Sequence, residues 1–169
     1  GVMLDMMTDS AFIEIEYGIG GLARYWAYFD LYVDGMYVGS EGEEDISGGK
    51  KGGAIRFELP GNQPELRHVS IYLPHAAEVF IRAVRLSDGA RAEATAPLQK
   101  RLLCLGDSIT QGMEARRPSF AYPVLLSRAL GMSLLNQGVG GYYFDKGSLV
   151  ADLNMEPDLI TVAKGTNDW

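Results

Sequence analysis

Three short stretches hold residues whose types could carry out acyl chemistry. The first is Leu105-Gly106-Asp107-Ser108-Ile109-Thr110-Gln111-Gly112, directly after the apolar run Leu102-Leu103-Cys104-Leu105. A serine just past a buried strand and at a helix start holds its Oγ at the open edge of a sheet. Free backbone N–H groups there can stabilise a developing negative charge. The second stretch carries Gly138, Gly140 and Gly141, and the third carries Asn167 and Asp168. A glycine loop offers a further N–H and an asparagine side chain another donor for an oxyanion. Each residue alone has a plainer role: Ser108 as a helix cap, the glycines as turn residues, and Asn167 with Asp168 as a cap. Ser108, Gly141 and Asn167 follow three successive strands, so they can converge.

The elements that must position them split the chain into two grammars. In residues 1–90, Ile13, Ile15 and Tyr17 alternate with Glu14 and Glu16, and Ile55, Phe57 and Leu59 alternate with Arg56 and Glu58. Such alternation marks half-buried strands. Asp34-Gly35 between apolar segments predicts a tight hairpin, because both turn positions need positive φ. Short strands joined by glycine-rich turns predict an all-β sandwich or jelly roll over 1–90. The charged, glycine-rich stretch 41–53 reads as a solvated flexible loop rather than a calcium site, and 91–100 as an interdomain linker. From Arg101 the pattern becomes β-α-β-α-β. The strands start near 101, 133 and 159, and a helix over about 121–130 is capped by Ser119 and stopped by Gly131. A second helix is expected over 145–153. This order predicts an α/β domain with a parallel sheet, whose ligands sit beyond the carboxyl ends of the strands.

Taken together, the three stretches resemble a family. "GDSIT" after the first strand, "NQGVGG" after the second and "GTND" after the third are similar to the first three blocks of the SGNH (GDSL) hydrolases, in the family's order. The resemblance covers Arg101 to Trp169. It implies an incomplete flavodoxin-like, three-layer SGNH domain over 101–169. It implies Ser108 as nucleophile, with the N–H of Ser108, the N–H of Gly141 and the amide of Asn167 as oxyanion hole; Asp107 and Asp168 would support them. Gly141 takes the second glycine position of the N-x-G-x-x-G pattern spanning Asn136 to Gly141. "FDLYVDG", Phe29 to Gly35, resembles the small β-sandwich domain in front of some bacterial SGNH hydrolases and carbohydrate esterases. The implied activity is a serine esterase or acylhydrolase, without cofactor or metal, acting on an acylated carbohydrate or another small ester.

The family also needs an Asp-x-x-His base, and no such spacing occurs in this sequence. His68 and His75 both precede Ser108; His75 with Glu78 is a remote stand-in for a base and its orienter. A triad without its base keeps only a small residue of its rate. The chain alone is therefore expected to be nearly inactive. The last apolar strand is expected to be covered by a further C-terminal segment or by another chain. The rival reading is a non-catalytic carbohydrate- or protein-binding module with a degenerate SGNH remnant. In that reading Tyr25, Trp26, Tyr28, Phe29 and Tyr32 would stack on sugars, whereas sandwich core and edge is their plainer role. An acyltransferase would use the same serine and differ in the acceptor. Lys164 places a cation near the proposed site, either tuning an anionic substrate or facing solvent.

Composition narrows the partners. A net charge of −7 with no long basic run disfavours nucleic acid. No stretch is long and apolar enough for a membrane helix. One cysteine, Cys104, and two histidines argue against a metal cluster. The lone cysteine and the lack of a signal-peptide pattern lean toward the cytoplasm, while a processed N-terminus leaves secretion open.

Overall fold

The computed structural model describes residues 2–61, 65–143, 145–148 and 155–168. It is mostly β-structure and divides into two compact units. One comprises Val2–Ala96 with Arg116–Pro118; the other comprises Pro97–Ala115 and the chain from Ser119 onward.

The first unit is antiparallel throughout. Its strands are β1 (Met3–Thr8), β2 (Phe12–Leu22), β3 (Ala27–Val33), β4 (Met36–Glu43), β5 (Gly52–Glu58), β6 (Arg67–Tyr72), β7 (Ala77–Leu86) and β8 (Ala92–Glu93). They form a five-stranded sheet in the order β4-β3-β6-β1-β8 and a three-stranded sheet in the order β5-β2-β7. Alternation decides the faces. Ile13, Ile15 and Tyr17 of β2 point inward with Ile55 and Phe57 of β5, and meet Phe29, Leu31, Val69 and Ile71 of the other sheet in one core. The Tyr17 and Phe29 rings sit 5.0 Å apart in a tilted pair. Asp34 and Gly35 link β3 to β4 with φ of 49° and 78°, the double positive φ that a two-residue hairpin of this hand requires.

Several details depart from the residue pattern. The pattern gives no signal for β1, because Met3 to Thr8 shows no clean alternation. The stretch 91–100 is more than a connection: Ala92 and Glu93 pair with Thr8 and Met7 as β8. The flexible loop expected over 41–53 is shorter: 41–43 belong to β4, Gly52 and Gly53 to β5, and Ile46 between them is buried against Ala27 and Ala77. Of the aromatics at 25–32, Phe29 and Tyr32 are buried and Tyr25 is exposed, which is sandwich core with an exposed edge.

The second unit holds β9 (Arg101–Gly106), α1 (Ser108–Gln111), α2 (Tyr122–Leu130), β10 (Ser133–Gly138) and β11 (Leu159–Ala163). Its parallel sheet runs β10-β9-β11, so the first strand lies between the second and the third. Leu102 and Cys104 of β9 are buried with Met132, and Leu126 of α2 packs against them. Asp158 brackets the start of the sheet: its N–H donates to Arg101 O at 2.9 Å, and its carboxylate accepts from Arg101 N at 2.8 Å. Gly131 ends α2 in the left-handed region at φ 61°.

The expected Ser119 cap is corrected. Ser119 is buried in a short 3-10 turn, Pro118–Phe120, and the cap position of α2 is Ala121, with no side-chain cap bond. Pro123 in the first turn fixes the helical φ there instead. Where a helix is expected over 145–153, Lys146–Ser148 form a 3-10 turn, and residues 149–154 lie outside the described residues. Among the described residues no helix is long and apolar enough to cross a membrane.

Candidate active site

The three loops beyond the carboxyl ends of β9, β10 and β11 are those whose residue types suit acyl chemistry. At the first, Asp107 takes the capping role: its Oδ1 accepts from Ile109 N at 2.9 Å, and its side chain is almost fully buried. The cap is therefore not Ser108. The Ser108 hydroxyl has no hydrogen-bond partner among the described residues and is half-buried at the first position of α1. Its backbone N–H is one of the helix donors with no acceptor in the preceding turn.

Glycines let α1 lie this close to the sheet. A Cβ at Gly106 would come within 1.9 Å of Thr110 Oγ1 and 2.7 Å of Ala163 O. One at Gly138 would come within 2.1 Å of Gln111 N. Both positions therefore admit only glycine without backbone displacement. Thr110, fully buried, bonds Tyr122 OH at 2.8 Å and so ties α1 to α2.

The second loop is fastened to α1 by two side chains to which sequence reasoning gives no role. Asn136 donates through Nδ2 to Thr110 O at 2.8 Å and accepts from Gly138 N through Oδ1 at 2.9 Å. Gln111 Oε1 accepts from Gly140 N at 2.8 Å. The only sequence signal for either is the place of Asn136 at the head of the N-x-G-x-x-G pattern. Tyr142 N in turn donates to Val139 O at 3.2 Å. The amides of Gly138, Gly140 and Tyr142 are thus occupied, while that of Gly141 has no acceptor among the described residues. Gly141 sits at φ 74°, a backbone conformation that favours glycine.

The third loop joins the second. Asn167 donates from Nδ2 to Tyr142 O at 3.0 Å, which leaves the second N–H of the amide to act elsewhere. Asp168 N donates to Gly165 O at 3.3 Å and closes the turn that presents Asn167. Lys164 Nζ stands 4.3 Å over the Tyr142 ring, a cation–π contact. Tyr142 and Tyr143 stack at 6.2 Å between ring centres, and both rings are exposed. The structure thus joins the Ser108, Gly141 and Asn167 loops through Gln111–Gly140 and Asn167–Tyr142 contacts.

The histidines belong to the other unit. His68 Nε2 lies 2.7 Å from Asp5 Oδ1, which also accepts from Ser70 Oγ at 2.6 Å. His75 lies in the bend between β6 and β7, and Glu78 is engaged with Gly21 N at 3.0 Å.

Among the described residues this arrangement has a serine hydroxyl without a competing bond on one loop and amides without acceptors on the two loops joined to it. Residues 104–169 match the GDSL-like lipase/acylhydrolase family. That segment begins inside β9 and contains all three loops. No curated protein matches the chain in sequence. Among solved structures it is similar to a protein described as a GDSL-like lipase from Bacteroides ovatus, at 23% identity and a TM-score of 0.79, covering 99% of this chain and 52% of that one. A family two carbohydrate esterase from Clostridium thermocellum gives 15% identity and a TM-score of 0.74, covering 99% and 60%. A salicylyl-acyltransferase from a tetracycline biosynthetic pathway gives 24% and 0.67, covering 82% and 40%. At these identities the likeness is one of fold. The chain spans 40% to 60% of the length of these three structures.

Proposed function

We propose that the GDSL-like segment carries the nucleophile and oxyanion side of a serine ester hydrolase that deacylates an acylated carbohydrate or a similar small ester. The observation that supports this most is the pattern of free donors. Around the second and third loops the neighbouring amides are occupied, yet those of Ser108 and Gly141 and one N–H of Asn167 are open. Helix-start and turn geometry leave the first two open, and what favours the acyl reading is that all three lie on loops joined to one another around a serine with no structural bond. The Asp107 cap supports it too, since it relieves Ser108 of structural duty.

In this reading Ser108 Oγ attacks the ester carbonyl and its proton passes to a base. The carbonyl oxygen becomes an oxyanion held by the three donors. The alcohol leaves with the proton, and water hydrolyses the acyl-enzyme by the same steps. Tyr142 and Tyr143 offer an exposed apolar surface next to Asn167 for the acyl group or a sugar ring. The base is the piece that these 169 residues do not spell out as Asp-x-x-His. We therefore expect the chain on its own to hydrolyse esters only marginally.

The test is a serine-directed phosphonate probe with peptide mapping. Labelling at Ser108 in the full-length protein, lost in Ser108→Ala, is the expected outcome. Glycan binding with no labelling at Ser108 would favour a binding module instead. Brisk, Ser108-dependent turnover of p-nitrophenyl acetate by the 169-residue chain would overturn the expected lack of a base.

A further inference from the structure

The outer face of the β5-β2-β7 sheet is stripped of side chains in one place. Gly18 of β2 faces outward, and Gly52 and Gly53 open β5 beside it. Gly52 has φ 139°, and a Cβ there would lie 2.2 Å from Tyr17 O, so no side chain can fill this spot. The result is an open cavity of about 470 Å³ lined by Glu16, Lys51, Gly52, Gly53, Ala54 and Arg82. That is within the range of small-ligand sites, about 300–1,000 Å³, and far larger than an inorganic anion needs.

Its charges are unusual for this chain. Acidic residues outnumber basic ones by 22 to 15, and Lys50, Arg56, Arg85 and Arg91 of the same unit each bind a carboxylate. The side chains of Lys51 and Arg82 have no hydrogen bond or ion pair with any described residue. The Arg82 guanidinium lies against the glycine strand, where a Cβ at Gly18 would meet it at 3.1 Å. Glu16 is held in place by Arg85 at 2.9 Å through Oε2, which leaves Oε1 as an acceptor. Phe80, the register partner of Gly18, is 53% exposed and lies over Gly20 on the same face.

We propose that this face binds a saccharide bearing a carboxylate. Arg82 and Lys51 take the carboxylate, Arg82 as a planar two-donor fork. Glu16 Oε1 accepts from a ring hydroxyl, and the Phe80 ring packs on the apolar face of the sugar. Two cations and a carboxylate acceptor lining one cavity fit a ligand that carries both an anionic group and hydroxyls. The site is on the β-sandwich unit and does not depend on the hydrolase reading.

Titration calorimetry and amide NMR on the 169-residue chain test it, with digalacturonate, cellobiose and inorganic phosphate as probes. Saturable binding of digalacturonate, with shifts at Gly52 and Gly53, is expected. Losing a charge-assisted bond should weaken it about tenfold or more in Arg82→Gln, and Phe80→Ala should weaken it too. The Arg82 side chain is exposed and has no partner among the described residues, so an unchanged amide spectrum elsewhere will confirm that the variant folds. Binding of cellobiose with equal affinity, equal binding of phosphate, no effect of Arg82→Gln, or no binding at all would each overturn the proposal. Ser108→Ala separates the two sites: digalacturonate binding should survive it, and loss of binding would place the sugar at the catalytic loops and defeat the assignment.

Discussion

At the residue scale, glycines do two different jobs around Ser108. Gly106 and Gly138 exist to leave volume empty, because α1 crosses the sheet ends there. Alanine at either position forces atoms apart, and a cost of about 1–3 kcal/mol is expected, read as a lowered urea midpoint at unchanged slope. Asp107→Ala removes the cap of α1 and is expected to cost about 0.5–2 kcal/mol in the same assay. It also leaves Ile109 N without its acceptor. Asn167 bonds Tyr142 O and, in the proposed reading, is also an oxyanion donor. In the full-length protein Asn167→Ala should lower kcat by about 10²–10³ with a smaller change in KM. Unchanged kcat would remove it from the oxyanion hole.

At the element scale, β11 is the exposed member of the parallel sheet. Ile160 and Val162 are 52% and 56% exposed, and β11 pairs only with β9 among the described residues. An apolar strand edge of this kind is a template for self-association. Val162→Lys is expected to reduce light scattering of the purified chain at fixed concentration. Elements with strong periodicity are legible in the residues alone. The alternations of β2 and β5, the Asp34-Gly35 hairpin and the three strands starting at 101, 133 and 159 all occur where the residue pattern places them. What stays hidden lacks a local signal. β1 has methionines on both faces, and β8 is two residues whose strand character comes wholly from pairing with Thr8 and Met7. Ser119 reads as a cap because serine before a helical stretch usually is one; the 3-10 turn buries it instead. Likewise the three loops are legible as types at strand ends. The amide clamp through Asn136 and Gln111 is not, because it depends on side chains reaching across 26 and 29 residues of sequence.

At the scale of the whole molecule, two carboxylates couple the first strand to the end of the β unit and to pH. Asp5 is partly desolvated, which raises its pKa, but hydrogen bonds from Ser70 and Thr95 and contact with His68 outweigh this and leave it lowered. Asp9 is lowered by the Arg91 amide and guanidinium. Both carboxyls bind fewer protons folded than unfolded. Their contribution is therefore complete above the ordinary carboxylate pKa of about 3.9 and is lost as pH falls through the lowered values. The urea midpoint should hold steady down to about pH 5 and fall below about pH 4, with a shallower fall in Asp5→Asn. A steeper fall in that variant would contradict this assignment. The single cysteine has a different consequence. Cys104 is the only thiol in the chain and lies in β9, at the first residue of the family-matched segment. Residues 104–169 can therefore be made as a synthetic peptide and joined to 1–103 by ligation at that thiol, without adding or removing an atom of the sequence. Mirror-image chemistry then becomes available at the site. A D-alanine at position 141 matches the positive φ found there and should leave its N–H in place. An ordinary L-alanine at 106 or 138, where space and not φ is the constraint, should not be tolerated.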